Sequence, residues 1–297
     1  MIIQLQNDQA VACIDTMGAQ LISLKDQAGL EYIWQRDPDI WKNCSPILFP
    51  IVGNLRDGKT RINGREYEIE KHGPCKTLKF QVVSADEREA VFFLTQDRFP
   101  EGTYPYEFEL RVRYRLEGSR LTAALEVENR DKDSIWYCLG FHTGFRCPLN
   151  EEEKFEDYYL EFLEEQKYGY RRYDVERLEF DMSKEYPFPG KDGLSIPLTR
   201  ELFANDAFWF DHPSSKSVSL KSEKGEKGVQ VDYEDFDTVA FWTQTREDAA
   251  FLCIEPWNGS AVCSDEDNEF IHKNHIRKLE TGKTAVYTMT VHLLGNR

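Results

Sequence analysis

The chain has 297 residues, a formal net charge of −16 and a sequence pI near 4.9, with 40% hydrophobic and 13% aromatic residues. It can bury a large core, but its surface repels nucleic-acid phosphates and anionic lipid. No apolar run is long enough to span a bilayer, so neither nucleic acid nor membrane is an expected partner. Seven cysteines without CxxC pairs, and a start (Met1-Ile-Ile-Gln) with no basic-then-apolar leader, predict a cytoplasmic protein with reduced thiols.

Strand signals run through the chain. Val11–Ile14 and Gly18–Leu24 are short apolar segments, and Trp34 and Trp41 flank a polar loop. Pro46–Gly53 is apolar but holds two prolines, each lacking a ladder donor, which predicts an edge segment or irregular crossing. Asn63-Gly64 between Thr60–Ile62 and Glu66–Ile69 is a two-residue hairpin signal. In Glu107–Leu116 the apolar set Phe108, Leu110, Val112, Tyr114 and Leu116 alternates with Glu and Arg. Leu121, Ala123, Leu125 and Val127 continue the alternation after Glu117-Gly118-Ser119. This is a long antiparallel hairpin with one buried and one charged face.

A third strand is predicted over Ile135–His142, and others over Asp157–Phe162, Ser217–Leu220, Val229–Tyr233, Val239–Thr243, Ala249–Glu255 and Ala285–Leu294. Helical signals are confined to Glu151–Lys154 and a turn in Pro197–Phe203. Without crossover helices, repeats or a Gly/Ser linker, the expectation is one domain over residues 1–297, an all-β antiparallel sandwich.

The stretch Phe251–Gly259 ends a short apolar run in Glu255 and follows it with a Pro-Trp turn. Strand alternation puts Phe251, Cys253 and Glu255 on one face, with Trp257 beside the acid as a flat wall. Alone, this reads either as a strand running out into a polar loop or as a buried acid whose raised pKa suits a base. An ionised acid there needs hydrogen-bond donors close by.

Among the six histidines, His72 lies in a Gly/Pro loop and His142 on a parity with Cys138 and Gly140, small neighbours that would leave room for a ligand. His142 reads equally as a core histidine bonded to backbone. His212 reads as structural, His272 and His275 as solvated, and His292 as a surface residue. Cys138, His142 and Cys147 are near in sequence, but four residues of strand set the first two roughly 13 Å apart and no zinc spacing matches, so no metal site is expected. No GxSxG elbow, GxGxxG or Walker A loop is present, and no cofactor is expected. A carboxylate, two histidines, Arg56 and an aromatic wall suit proton transfer on a polyhydroxylated small molecule.

Taken in order, Leu48–Gly53 with Asp57-Gly-Lys59 and Asn63-Gly64, His72-Gly73, Tyr104–Phe108, Gly140-Phe-His142 with Pro148-Leu149, Glu255–Gly259 and Leu279–Gly282 resemble the aldose 1-epimerase (galactose mutarotase-like) superfamily, in particular its LacX-like branch. The resemblance spans the chain. It implies a β-supersandwich and cofactor-independent interconversion of the α and β anomers of an aldose or aldose phosphate. It implies Glu255 as general base on the C1 hydroxyl, His142 as general acid on the ring oxygen, and His72 as a substrate ligand. Asn54, Arg56, Asp206 and Trp257 are the further substrate contacts it suggests.

The chain departs from that pattern at Asn54, where the family often has Arg. It departs again at Gly73-Pro-Cys-Lys76, for the usual Gly-Phe-Ala-Arg, and at Thr143-Gly144, for the usual Pro-Ala. These changes leave a second reading open, a non-catalytic carbohydrate-binding or sugar-sensing protein. A metal-dependent hydrolase on Cys138, His142 and Cys147 is a third.

Overall fold

A computed structural model describes residues 1–295. Strand pairing is antiparallel throughout the sheets, and parallel contact is confined to single bridges. The larger sheet has nine strands, in spatial order Ser195–Pro197, Tyr158–Phe162, Ser217–Ser222, Gly228–Asp232, Thr284–Leu294, Arg120–Asn129, Phe108–Glu117, Glu89–Thr95 and Gln81–Ala85. Its centre is the hairpin expected from the alternation. Leu116 pairs with Leu121 and Val112 with Leu125, and Phe108, Leu110, Val112, Tyr114 and Leu116 are all buried. The other face carries the cross-strand ion pairs: Arg113 reaches Glu126 at 3.0 Å and Glu89 at 2.9 Å. The Asn63-Gly64 hairpin also forms, with both residues at positive φ (51° and 74°), the backbone a two-residue turn of this kind requires. No helix among the described residues is long and apolar enough to cross a membrane.

The second sheet has eight strands. In spatial order they are Glu179–Phe180, Arg171–Asp174, Phe208–Phe210, Thr238–Trp242, Phe251–Asn258, Leu139–Phe141 and Ile47–Leu48, with Thr143–Arg146 also pairing to Phe251–Asn258. One apolar cluster joins the two sheets. Leu252, Ile254 and Phe241 from this sheet meet Phe162, Leu125 and Val112 from the other, and the Phe162 and Phe241 rings lie 6.0 Å apart. Burial on both faces explains why Phe251–Asn258 reads as a continuous apolar run rather than an alternating one.

Two expectations fail here. The sequence suggested that the site strand stops at Glu255 and that Ile135–His142 is a single strand. Instead the site strand continues through Pro256 and Trp257 to Asn258, and the 135–142 stretch is broken. Ile135–Tyr137 pairs with Arg277–Leu279 in a separate ribbon, and Leu139–Phe141 joins the second sheet. Pro256 has no N–H to give, so the ladder to the neighbouring strand lapses opposite it and resumes at Thr143. A proline inside a central strand is thus accommodated by a gap in its partner. Ile47–Leu48 is an edge strand, as its flanking prolines predicted.

Candidate active site

The gap opposite Pro256 builds the site. On either side of it the register is the same, Gly140 facing Trp257 and Thr143 facing Ile254, which sets His142 across from Glu255. Their side chains meet, with Nε2 of His142 3.3 Å from Oε2 of Glu255. Both are buried, at 7% and 2% exposure. Cys253, Glu255 and Trp257 share one strand face, opposite to that of Leu252 and Ile254, as the alternation required.

The small residues beside His142 do not leave room for a ligand, as first expected; two indoles fill it. A Cβ on Gly140 would come within 2.6 Å of Trp257, and one on Gly144 within 2.6 Å of Trp41. Trp41 stacks on the His142 imidazole (centroids 5.0 Å apart, planes 28° apart), and Trp242 meets it edge-on at 5.7 Å. The ring is therefore fixed by packing on its faces and edge.

His72 arrives from a separate loop. His72 and Gly73 both have positive φ, and a side chain on Gly73 would collide with the Phe49 carbonyl at 2.0 Å. The His72 backbone N–H donates to the Gly53 carbonyl (2.7 Å), and its Nδ1 accepts the Gly53 N–H (3.1 Å), so the proton of the neutral ring sits on Nε2. The ring stands edge-on to His142, centroids 5.2 Å apart. Lys76 staples the loop by donating to the carbonyls of Lys71 and Gly73 and pairing with Glu70 at 3.0 Å.

Together these elements enclose a cavity of about 380 Å³, the size of a small-molecule site. His72, His142, Glu255, Asn54, Asp206 and Trp257 all line it. Asn54 accepts from the Tyr173 hydroxyl (3.2 Å) and donates to the Leu178 carbonyl (3.0 Å), which fixes its amide. Arg56 is the exception. Its guanidinium is tied to Glu179 (2.8 Å) and the Cys263 carbonyl (3.1 Å), outside the lining, so it braces the wall and does not replace the family arginine in the cavity.

The sequence reading missed Trp41, Trp242, Tyr173 and Lys71, all of which line the cavity. A tryptophan in a polar loop was the available signal for Trp41. Lys71 had one only in standing next to His72.

Burial dominates the electrostatics. It pushes the Glu255 carboxyl well above the usual carboxylate range, opposed by the Lys71 charge and reinforced by Asp206. It pushes His142 down to about 3, with Lys71 acting in the same direction, and holds His72 well below its ordinary value. Burial therefore favours a neutral imidazole beside a protonated carboxyl. The donor demanded for an ionised Glu255 is His142 itself. Lys71 makes no hydrogen bond or ion pair through its ammonium with any described residue.

Cys138 and Cys147 do not join His142. Cys138 packs against Gly259, and Cys147 lies in the main core. The groups that could share an ion with His142 are instead Cys253 and Glu255.

The comparisons agree with this architecture. Residues 1–276 match the aldose 1-epimerase family model. The plasmid and chromosomal LacX proteins of Lactococcus lactis subsp. lactis are each 35% identical to the chain over 98% of its length and 99% of theirs. A galactose mutarotase related enzyme from Lactobacillus acidophilus superposes with a TM-score of 0.92 at 27% identity, covering 100% of this chain and 98% of that one. This chain belongs to the aldose 1-epimerase family.

Proposed function

We propose that the protein interconverts the α and β anomers of an aldose or aldose phosphate by acid–base ring opening, with Glu255 as base and His142 as acid. The observation that carries this reading is the 3.3 Å contact of His142 and Glu255 on the floor of an aromatic-walled cavity. The reactive form has an ionised Glu255 and a protonated His142. Glu255 takes the C1 hydroxyl proton as the C1–O5 bond breaks, and His142 delivers its proton to O5. The result is an open-chain aldehyde beside a protonated carboxyl and a neutral imidazole. Rotation about C1–C2 presents the other carbonyl face, and the two transfers reverse. Burial favours the neutral pair, the protonation state that accompanies the open chain, while sugar hydroxyls would help sustain the ionised pair.

His72, with its proton on Nε2, suits donation to a sugar oxygen. Trp257 offers an apolar face to the C–H side of a pyranose, and Asn54 and Asp206 supply polar contacts. A phosphorylated substrate would be met by Lys71, the cavity cation without an ion-pair partner among the described residues. Polarimetry or NMR exchange over freshly dissolved aldoses and aldose phosphates tests the proposal. An anomerisation rate unchanged in Glu255→Gln would remove the base assignment, and sugar binding with no rate enhancement would replace the enzyme with a binding protein.

A further inference from the structure

A second cluster of ionisable groups lies outside the cavity. The Trp209 ring packs 4.9 Å from cavity-lining Phe180, and His275 meets Trp209 edge-on at 6.1 Å. The sequence suggested that His275 is solvated; its side chain is 11% exposed and held between two carboxylates. Its Nε2 lies 2.6 Å from Oδ1 of Asp211, and its Nδ1 3.1 Å from Oδ2 of Asp237. The neighbouring His212 ring is 5.0 Å away, and one donor atom from each of Asp211, His212 and His275 lies within 4.8 Å of the other two.

We propose that Asp211, His212 and His275 form a binding site for a divalent transition-metal ion of the zinc class, with Asp237 as the outer partner of His275. Two imidazoles and one carboxylate suit zinc, cobalt or nickel better than magnesium or calcium, which prefer all-oxygen sites. The surrounding partners are those that ligands of such an ion keep. Asp237 takes the Nδ1 proton of His275 and is itself held by Arg277 at 2.8 Å, so Nε2, 2.6 Å from Asp211, is the nitrogen that binds the ion once its proton is displaced. Asp211 offers Oδ1 inward, and its Oδ2 lies 3.5 Å from Nε of Arg171. Arg171 is anchored in turn on the carbonyls of Met182 (3.0 Å) and Lys184 (3.1 Å). Each aspartate thus gives one oxygen to His275 and the other to an arginine, and these four charges cancel.

Donors around a tetrahedral zinc stand about 3.4 Å apart, given bonds of about 2.0–2.1 Å, so the trio needs only a small contraction. Exposed His212 can supply it by rotating. The ion would replace the proton between His275 and Asp211. It would also tie the segment after Phe208–Phe210 to the one before Arg277–Leu279.

The test is calorimetric titration of the untagged, EDTA-treated full chain with zinc chloride, alongside cobalt(II) absorption spectra and thermal melts. The expected result is one equivalent bound at micromolar concentrations, visible cobalt bands and a raised Tm. His212→Ala should abolish stoichiometric binding. Asp237→Asn should weaken it by about 10–100-fold. Cys253→Ser should leave it unchanged, which separates this site from the His142–Cys253–Glu255 trio. His212 is exposed, so its variant carries the test even if substitutions at His275 fail to fold. No binding by the native chain, full affinity in His212→Ala, or a thiolate–cobalt band lost in Cys253→Ser would each overturn the proposal.

Discussion

The hairpin of Phe108–Glu117 with Arg120–Asn129 and the site strand Phe251–Asn258 both sit centrally in their sheets, yet they treat polar side chains in opposite ways. In the hairpin the ladder runs unbroken for ten residue pairs. Its polar face turns to water, where Arg113, Glu126 and Glu89 pair in partly exposed, solvent-screened positions. Around the site strand the ladder lapses opposite Pro256, and there a carboxylate and an imidazole meet away from water. The regular region keeps its charged groups toward water; the irregular one buries an acid and a base and sets them against each other. Such charges are costly to bury and correspondingly reactive.

That contrast can be broken at several points. Glu255→Gln and His142→Asn should each lower the anomerisation rate about 10²–10⁴-fold, the usual contribution of a positioned acid or base. Circular dichroism and thermal melts should show the fold intact. Leu125→Ala, in the fully buried hairpin core, should cost about 2–5 kcal/mol by denaturant titration while sparing the rate per folded molecule. Equal damage to activity and stability from that change would erase the distinction between the two regions. Gly140→Ala lies between these cases. It presses on Trp257 beside His142, so a loss of about 1–3 kcal/mol should be accompanied by a disproportionate loss of rate. Arg113→Ala on the charged face should change stability by at most about 1 kcal/mol.

Titration sharpens the same comparison. The proposed mechanism needs the His142–Glu255 pair to hold one exchangeable proton. A second is added only toward the depressed His142 value of about 3, and the last is lost above the ordinary carboxylate range because Glu255 is raised. The pH profile of kcat/KM should therefore be a broad bell whose limbs belong to the pair rather than to either residue. Glu255 holds its proton in the folded chain to a higher pH than in the unfolded chain, so it removes stability as pH rises from its ordinary value through the raised one. Glu255→Gln should thus melt higher than the native protein at neutral pH and lose that advantage in acid. A lower Tm at neutral pH would show that the carboxylate is better solvated than its burial indicates.

Much of the fold was legible in the sequence because its signals are local. The Phe108–Leu116 alternation, the Asn63-Gly64 turn and the prolines around Ile47–Leu48 act through side-chain parity, φ preference and missing donors, which need no distant partner. The face shared by Cys253, Glu255 and Trp257 followed from the same parity, and six of the seven suggested site residues line the cavity.

What the sequence could not decide was which segments meet. Pro256 looked like a strand terminator because only the tertiary structure shows a partner able to break opposite it. Gly140 looked like space for a ligand because the indole that closes on it comes from residue 257. Arg56 could be placed two residues from Asn54 but not on Glu179, and His275 could not be seen between Asp211 and Asp237. Local chemistry set the strands and the facing of their side chains. Long-range register, fixed only when both sheets close on a common core, decided which acid meets which base.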